Sequence, residues 1–185
     1  MSSIAYMFCL ALLNIGMPRA DYACEHMQMA LEAADEYEIR PELFIAMIHV
    51  ESRWNHKAVS KGYACGLTQV LPKYTRNPKL SCEDLKDPKT SIWTGAMKLH
   101  YWIYKYGRGK EKTGLCGYNK GYRCKGKDKN KRGMGYARSV LRHASRILKA
   151  YKKVEKDTAD LQDECGEDYN FLLEEAEKGY PAIIE

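Results

Sequence analysis

The chain has 185 residues, of which 45% are hydrophobic and 29% charged, the ordinary balance of a globular protein long enough to bury a substantial core in one domain. Its net charge of +6 hides an asymmetry: residues 1–156 hold 29 Lys/Arg against 14 Asp/Glu, and residues 157–185 hold one against ten. No stacking platform or recognition motif accompanies the basic run KGYRCKGKDKNKRGMGYAR, so nucleic acid is not an expected partner. No CxxC or HExxH pattern is present either, so neither metal nor cofactor is expected.

In chain order, Ile4–Met17 (IAYMFCLALLNIGM) is an apolar run too short to span a bilayer comfortably and interrupted by Pro18. Residues 1–23 therefore read as an export signal, with an uncleaved anchor as the rival, since no Lys or Arg precedes Arg19 and no good small-x-small cleavage site follows. Any membrane contact would run through this segment alone. Helical periodicity marks residues 22–37, 41–54, 91–106 and 136–154, with at most a short element of sheet near Tyr63 to Val70. In the last helix Ala137, Val140, Leu141, Ala144, Ile147, Leu148 and Tyr151 share one face. The fold class is mainly α, with a core domain over 24–154 and an acidic C-terminal extension over 155–185. In that extension Leu161 and Phe171 to Leu173 suggest a docked helix or a mobile tail, with Cys165 as a tether.

Glu51 is the most informative residue. Phe44, Met47 and Ile48 precede it at helical spacing, so it rides on a buried stripe, and Asn55 and Gly62 stop the helix soon after Trp54. Burial disfavours a charged carboxylate, so its pKa is expected to rise, as a general acid near neutral pH requires. Residues 52–82 contain no Asp or Glu, so the segment that folds back over Glu51 supplies no second acid. His49 and His56 flank it seven apart and read as packing or surface residues.

Around Glu51-Ser52 stand Ala58, Ser60 and Gly66-Leu67-Thr68-Gln69-Val70-Leu71-Pro72. Asp87-Pro88, Ile92, Gly95-Ala96 and Tyr106-Gly107 follow, then Gly117-Tyr118-Asn119-Lys120-Gly121 and Tyr136-Ala137-Arg138-Ser139-Val140-Leu141. Taken in this order, the set resembles the soluble lytic transglycosylase branch of the lysozyme superfamily across roughly residues 24–151. Cys65 and Leu71 depart from it, where a small residue and a methionine are usual, and the stretch 121–132 is longer and more basic than the usual link.

What the resemblance implies is a lysozyme-like fold and cleavage of the MurNAc–GlcNAc bond of peptidoglycan with 1,6-anhydro products. Glu51 would be the single acid and base, and Ser60, Gln69, Tyr118, Asn119 and Tyr136 would hold the sugar. Plainer roles compete: a Gly-Leu-x-Gln turn can spend its amide on backbone groups, and a tyrosine opening a helix is often a packing residue. Hydrolysis with Glu83, Asp84 or Asp87 as a distant second carboxylate is the rival reaction, and an inactive wall-binding protein the rival class. Glycan strands are the expected partner, with secretion-apparatus or virion proteins beside them, and the expected location is periplasmic or extracellular. The basic part of the chain is expected to favour anionic wall polymers. Without Cys9, six cysteines remain (Cys24, Cys65, Cys82, Cys116, Cys124 and Cys165), an even number that suits an oxidising compartment. Convergence of the motifs favours Cys116 paired with Cys124 or with Cys65.

Overall fold

A computed structural model describes residues 1–76, 78–125 and 131–165. Its α-helices are α1 (Ser3–Asn14), α2 (Ala20–Glu25), α3 (Met27–Glu36), α4 (Pro41–Ser52), α5 (Pro88–His100), α6 (Glu111–Lys120) and α7 (Lys131–Cys165). Residues Tyr101–Tyr106 continue α5 as a π-helical turn. The expected sheet is reduced to two isolated antiparallel bridges, Val59 with Cys65 and Cys65 with Val70.

Helix α4 is the centre of the molecule. Pro41 opens it, and every side chain from Leu43 to Ile48 is fully buried, the pattern of a helix enclosed on all sides. Helix α7 is its opposite, amphipathic throughout, laying Ala137, Val140, Ala144 and Ile147 on the core while its other faces stay polar. It packs against α1, α4 and α6. The helix expected over 136–154 thus starts at Lys131 and runs unbroken past the boundary anticipated at 154 to Cys165. Phe171 to Leu173 and the Cys165 side chain lie outside the described residues, as does the segment 126–130.

Two elements go beyond the sequence reading. Ile4–Met17, expected as an export signal or anchor, supplies α1, which joins the same core through Ala5, Phe8, Ala11 and Leu12. Phe8 stacks 4.4 Å from Tyr151, and Arg146 donates to the Ile15 carbonyl at 3.4 Å. An apolar helix face and a signal core have the same composition, so pattern alone does not separate them. Among the described residues no helix is long and apolar enough to cross a membrane. The second element is α6, whose Gly114 and Gly117 lower helix propensity and mask it in sequence. Both are packing requirements: a Cβ on Gly114 would lie 2.6 Å from the Ile103 Cα, and one on Gly117 would lie 2.5 Å from the Trp102 ring.

Among the described residues two disulfides are formed. Cys116 pairs with Cys124, one of the two pairings anticipated, while Cys65 pairs with Cys82 and not with Cys116. The reason is local. Cys65 and Cys82 close the loop between α4 and α5 around Val70 and Leu85, whereas Cys124 lies only eight residues from Cys116. Cys9 and Cys24 are free thiols that hydrogen-bond to each other.

Candidate active site

The site begins where α4 ends. After Ser52 the chain leaves the helix through two consecutive left-handed residues, Arg53 (φ 52°) and Trp54 (φ 60°). A bulky residue at positive φ is costly, and burial of the entire Trp54 side chain holds it there. The helix therefore stops two residues earlier than its apolar spacing suggests, leaving Glu51 in its final turn.

The next segment folds back over that end. Gly66 has φ +77°, and a Cβ there would lie 1.7 Å from the Leu85 carbonyl oxygen, so only glycine fits both the turn and the contact. Thr68 is fully buried: its Oγ1 donates to the Ser91 carbonyl at 2.7 Å, and its backbone N–H donates to Ser91 Oγ at 3.2 Å. Gly95 gives Thr68 its room on α5, since a Cβ there would lie 2.3 Å from the Thr68 methyl. Gln69 spends both amide protons on the backbone, donating to Ala58 O and Gly66 O at 3.0 Å each. This is the plainer of its two anticipated roles, and its carbonyl oxygen stays available as an acceptor. Ser60 is exposed, and its Oγ accepts from the Ala64 N–H at 2.9 Å, so it too shapes the loop.

From the other side, α6 and α7 bring the remaining groups. The Tyr118 hydroxyl donates to the Thr68 carbonyl at 2.7 Å, tying α6 to the glutamine loop. Asn119, half-buried beside it, makes no side-chain hydrogen bond among the described residues. Tyr136, in the second turn of α7, donates its hydroxyl to Glu51 Oε1 at 2.6 Å. Of the residues nominated from sequence, Tyr136 alone bonds directly to Glu51. Tyr118 feels the Glu51 charge, and Gln69 and Ser60 bond within the loop that follows α4.

Loss of hydration pushes the Glu51 carboxyl up to about 7, against smaller downward pulls from the Tyr136 hydrogen bond and the Lys120 charge. The residue as a whole is half-buried. Burial and the nearby Glu51 charge hold both Tyr118 and Tyr136 well above the usual phenol range, so each remains a neutral donor. Lys120 was not singled out in sequence, where it fills the variable position of the Gly-Tyr-Asn-x-Gly motif. Its place one residue beyond Asn119 is the only signal that could have found it.

The proposed distant carboxylates are committed elsewhere. Asp84 accepts from the backbone and hydroxyl of Ser81, which holds its carboxyl below the usual range. Asp87 caps α5 by accepting from the Thr90 N–H, with the same effect. Glu83, 81% exposed, pairs with Lys86 at 2.8 Å. Among the described residues no group of His, Cys, Asp and Glu could hold a metal ion.

Residues 28–139 match the family described as the transglycosylase SLT domain. Among solved structures the chain is similar to an inactive Glu-to-Gln variant of lytic transglycosylase Slt from Pseudomonas aeruginosa, at TM-score 0.60 and 21% identity. That similarity covers 68% of this chain and 24% of the other, so the chain corresponds to about a quarter of that protein's length.

Proposed function

The chain belongs to the transglycosylase SLT domain family, and from that membership we propose that it cleaves the MurNAc–GlcNAc bond of peptidoglycan by intramolecular transglycosylation. The observation that carries the reading is a carboxyl raised to about 7 and bonded to a tyrosine, with no second carboxylate acting on it among the described residues. Two-carboxylate glycosidases hold their acids about 5 to 9.5 Å apart. Glu83, Asp84 and Asp87 instead pair with Lys86, Ser81 and Thr90.

One carboxyl suffices if the substrate supplies the missing groups. Protonated Glu51 donates to the glycosidic oxygen as the C1–O bond breaks, and the MurNAc acetamide oxygen closes on C1 to carry the developing positive charge. The Glu51 carboxylate then removes the proton of the C6 hydroxyl while O6 attacks C1 and releases the acetamide. Glu51 ends protonated, no water is consumed, and the product carries a 1,6-anhydro ring. Tyr136 orients the carboxyl through both halves, and a charge-assisted hydrogen bond favours the anion once it forms. Lys120 adds to that stabilisation. The Gln69 carbonyl oxygen and the Asn119 side-chain amide carry no hydrogen bond among the described residues, and both suit hydrogen bonds to the sugar and its acetamide. A substrate outside the cytoplasmic membrane implies export, and two disulfides agree with an oxidising compartment.

Mass spectrometry of purified cell walls digested with the protein tests this reading. Anhydro-ended muropeptides are the expected products. Reducing-ended products alone would mean hydrolysis, and no release would mean a binding protein.

A further inference from the structure

On the far side of α4 from the candidate acid lies a second constellation that the proposed chemistry does not use. His49 and Glu51 are two residues apart on α4, hence about 200° apart around it. His49 and Arg53, one turn apart, face Ser139, His143 and Arg146 of α7 across a cleft of about 410 Å³, closed at one end by the turn Gly16–Pro18. The two imidazoles lie 5.1 Å apart, and in each the Nδ1 atom is buried without a hydrogen-bond partner. His49 is only 7% exposed. A buried, unpaired ring nitrogen costs roughly 1–3 kcal/mol, so two in one cleft call for an explanation.

The charges facing the cleft are of one sign. Among the described residues no carboxylate lines it, and the Gly16–Pro18 turn contributes no charge. A second cleft shares Arg146 and continues along α7 past Lys149 and Lys153, again without a carboxylate among the described residues. We propose that the His49–His143 cleft is a binding site for a tetrahedral oxyanion of the phosphate class, held by the two imidazoles, Arg53, Arg146 and the Ser139 hydroxyl. Such a ligand supplies acceptors to Arg53, Arg146 and Ser139, and to the Nδ1–H groups once the rings are protonated, and it relieves repulsion between the two arginines held together by α4 and α7. Arg53 and Arg146 are both exposed and long enough to close over it.

Electrostatics gives the site a proton linkage. Burial lowers His49 to about 4, and the neighbouring His143, Arg53 and Arg146 add to that effect. Burial, Arg146 and Arg142 lower His143 in the same direction. A bound anion favours the protonated rings, so binding takes up protons and strengthens as pH falls. The phosphate group could belong to a free ion or to a phosphodiester wall polymer, and the basic continuation past Lys153 offers the polymer further contacts.

The test is a titration of the full chain, following the imidazole 15N–1H signals, with inorganic sulfate as a tetrahedral dianion of fixed charge and with poly(glycerol phosphate). Chloride at matched ionic strength is the control. Saturable shifts at His49 and His143, several-fold tighter binding at pH 5.5 than at 7.5, and a rise in both imidazole pKa values are expected. Arg53→Gln and Arg146→Gln, both at exposed positions, should each weaken binding about tenfold. Tighter binding of the polymer than of sulfate identifies the wall polymer as the source; equal binding per phosphate identifies the free ion. Shifts that chloride reproduces, or binding indifferent to both arginine variants, would overturn the proposal. Neither result bears on Glu51, whose chemistry is read out separately by muropeptide release.

Discussion

Glu51→Gln is expected to abolish measurable muropeptide release while making the protein more stable at neutral and alkaline pH. Loss of acid–base catalysis alone is worth roughly 10² to 10⁴-fold in rate, and the two steps proposed for Glu51 both fail with an amide. The stability gain has a separate origin. Folding raises the carboxyl from 4.5 to about 7, so the folded protein binds its proton more tightly than the unfolded chain does. Between those values stability falls as pH rises, because the unfolded state ionises freely and the folded state resists. Above pH 7 the loss amounts to about 3 kcal/mol, and glutamine, uncharged and nearly isosteric, escapes it. Thermal melts of both proteins at pH 4 and pH 8 check this. The variant should melt higher at pH 8, with the difference shrinking at pH 4. The pairing of lost activity with gained stability separates a strained catalytic group from a structural one.

Gly66→Ala is expected to be the most damaging single methyl group in the site. It places an alanine at φ +77°, costing roughly 1–2 kcal/mol, and drives its Cβ to 1.7 Å from the Leu85 carbonyl oxygen. Backbone cannot yield as a flexible side chain does, so the loop must shift, adding roughly 1–3 kcal/mol. A fall in melting temperature of about 10 °C follows for a chain of this size. Gly109→Ala is the control, because it has nearly the same φ of +76° and meets nothing within 4 Å. It should cost only the conformational part. Activity should fall further than stability in Gly66→Ala, since Gly66 O accepts from Gln69 Nε2 and a displaced turn displaces that amide. If the two variants melt together, the close approach to Leu85 is not a constraint.

Much of the site was legible because its chemistry is local. The stripe from Phe44 to Glu51 spells a helix whose end holds an acid, and the acid-free run 52–82 means that the segment folding back over it supplies no second one. What sequence left open was the use of each polar group. Gln69 and Ser60 sit in the segment that motif order assigns to the site, yet their bonds to Ala58, Gly66 and Ala64 are made within their own loop. No pattern distinguishes an amide that faces a sugar from one that braces a turn. Helix α6 was hidden for a similar reason: Gly114 and Gly117 oppose helix formation locally, and only contact with Ile103 and Trp102 explains them. Sequence pairs His49 only with His56, as packing or surface residues, and gives no sign of His143, because His49 and His143 are far apart in the chain and meet only where α7 crosses α4.

The protonation of Glu51 itself carries the most weight. Its carboxyl resonance, followed by 13C NMR in the resting protein from pH 4 to pH 9 and assigned by its loss in Glu51→Gln, should titrate near 7, and muropeptide release should decline as pH rises through the same range. A midpoint in the ordinary glutamate range near 4.5 would leave the group ionised at neutral pH, with no proton to give to the glycosidic oxygen, and would contradict the single-acid mechanism.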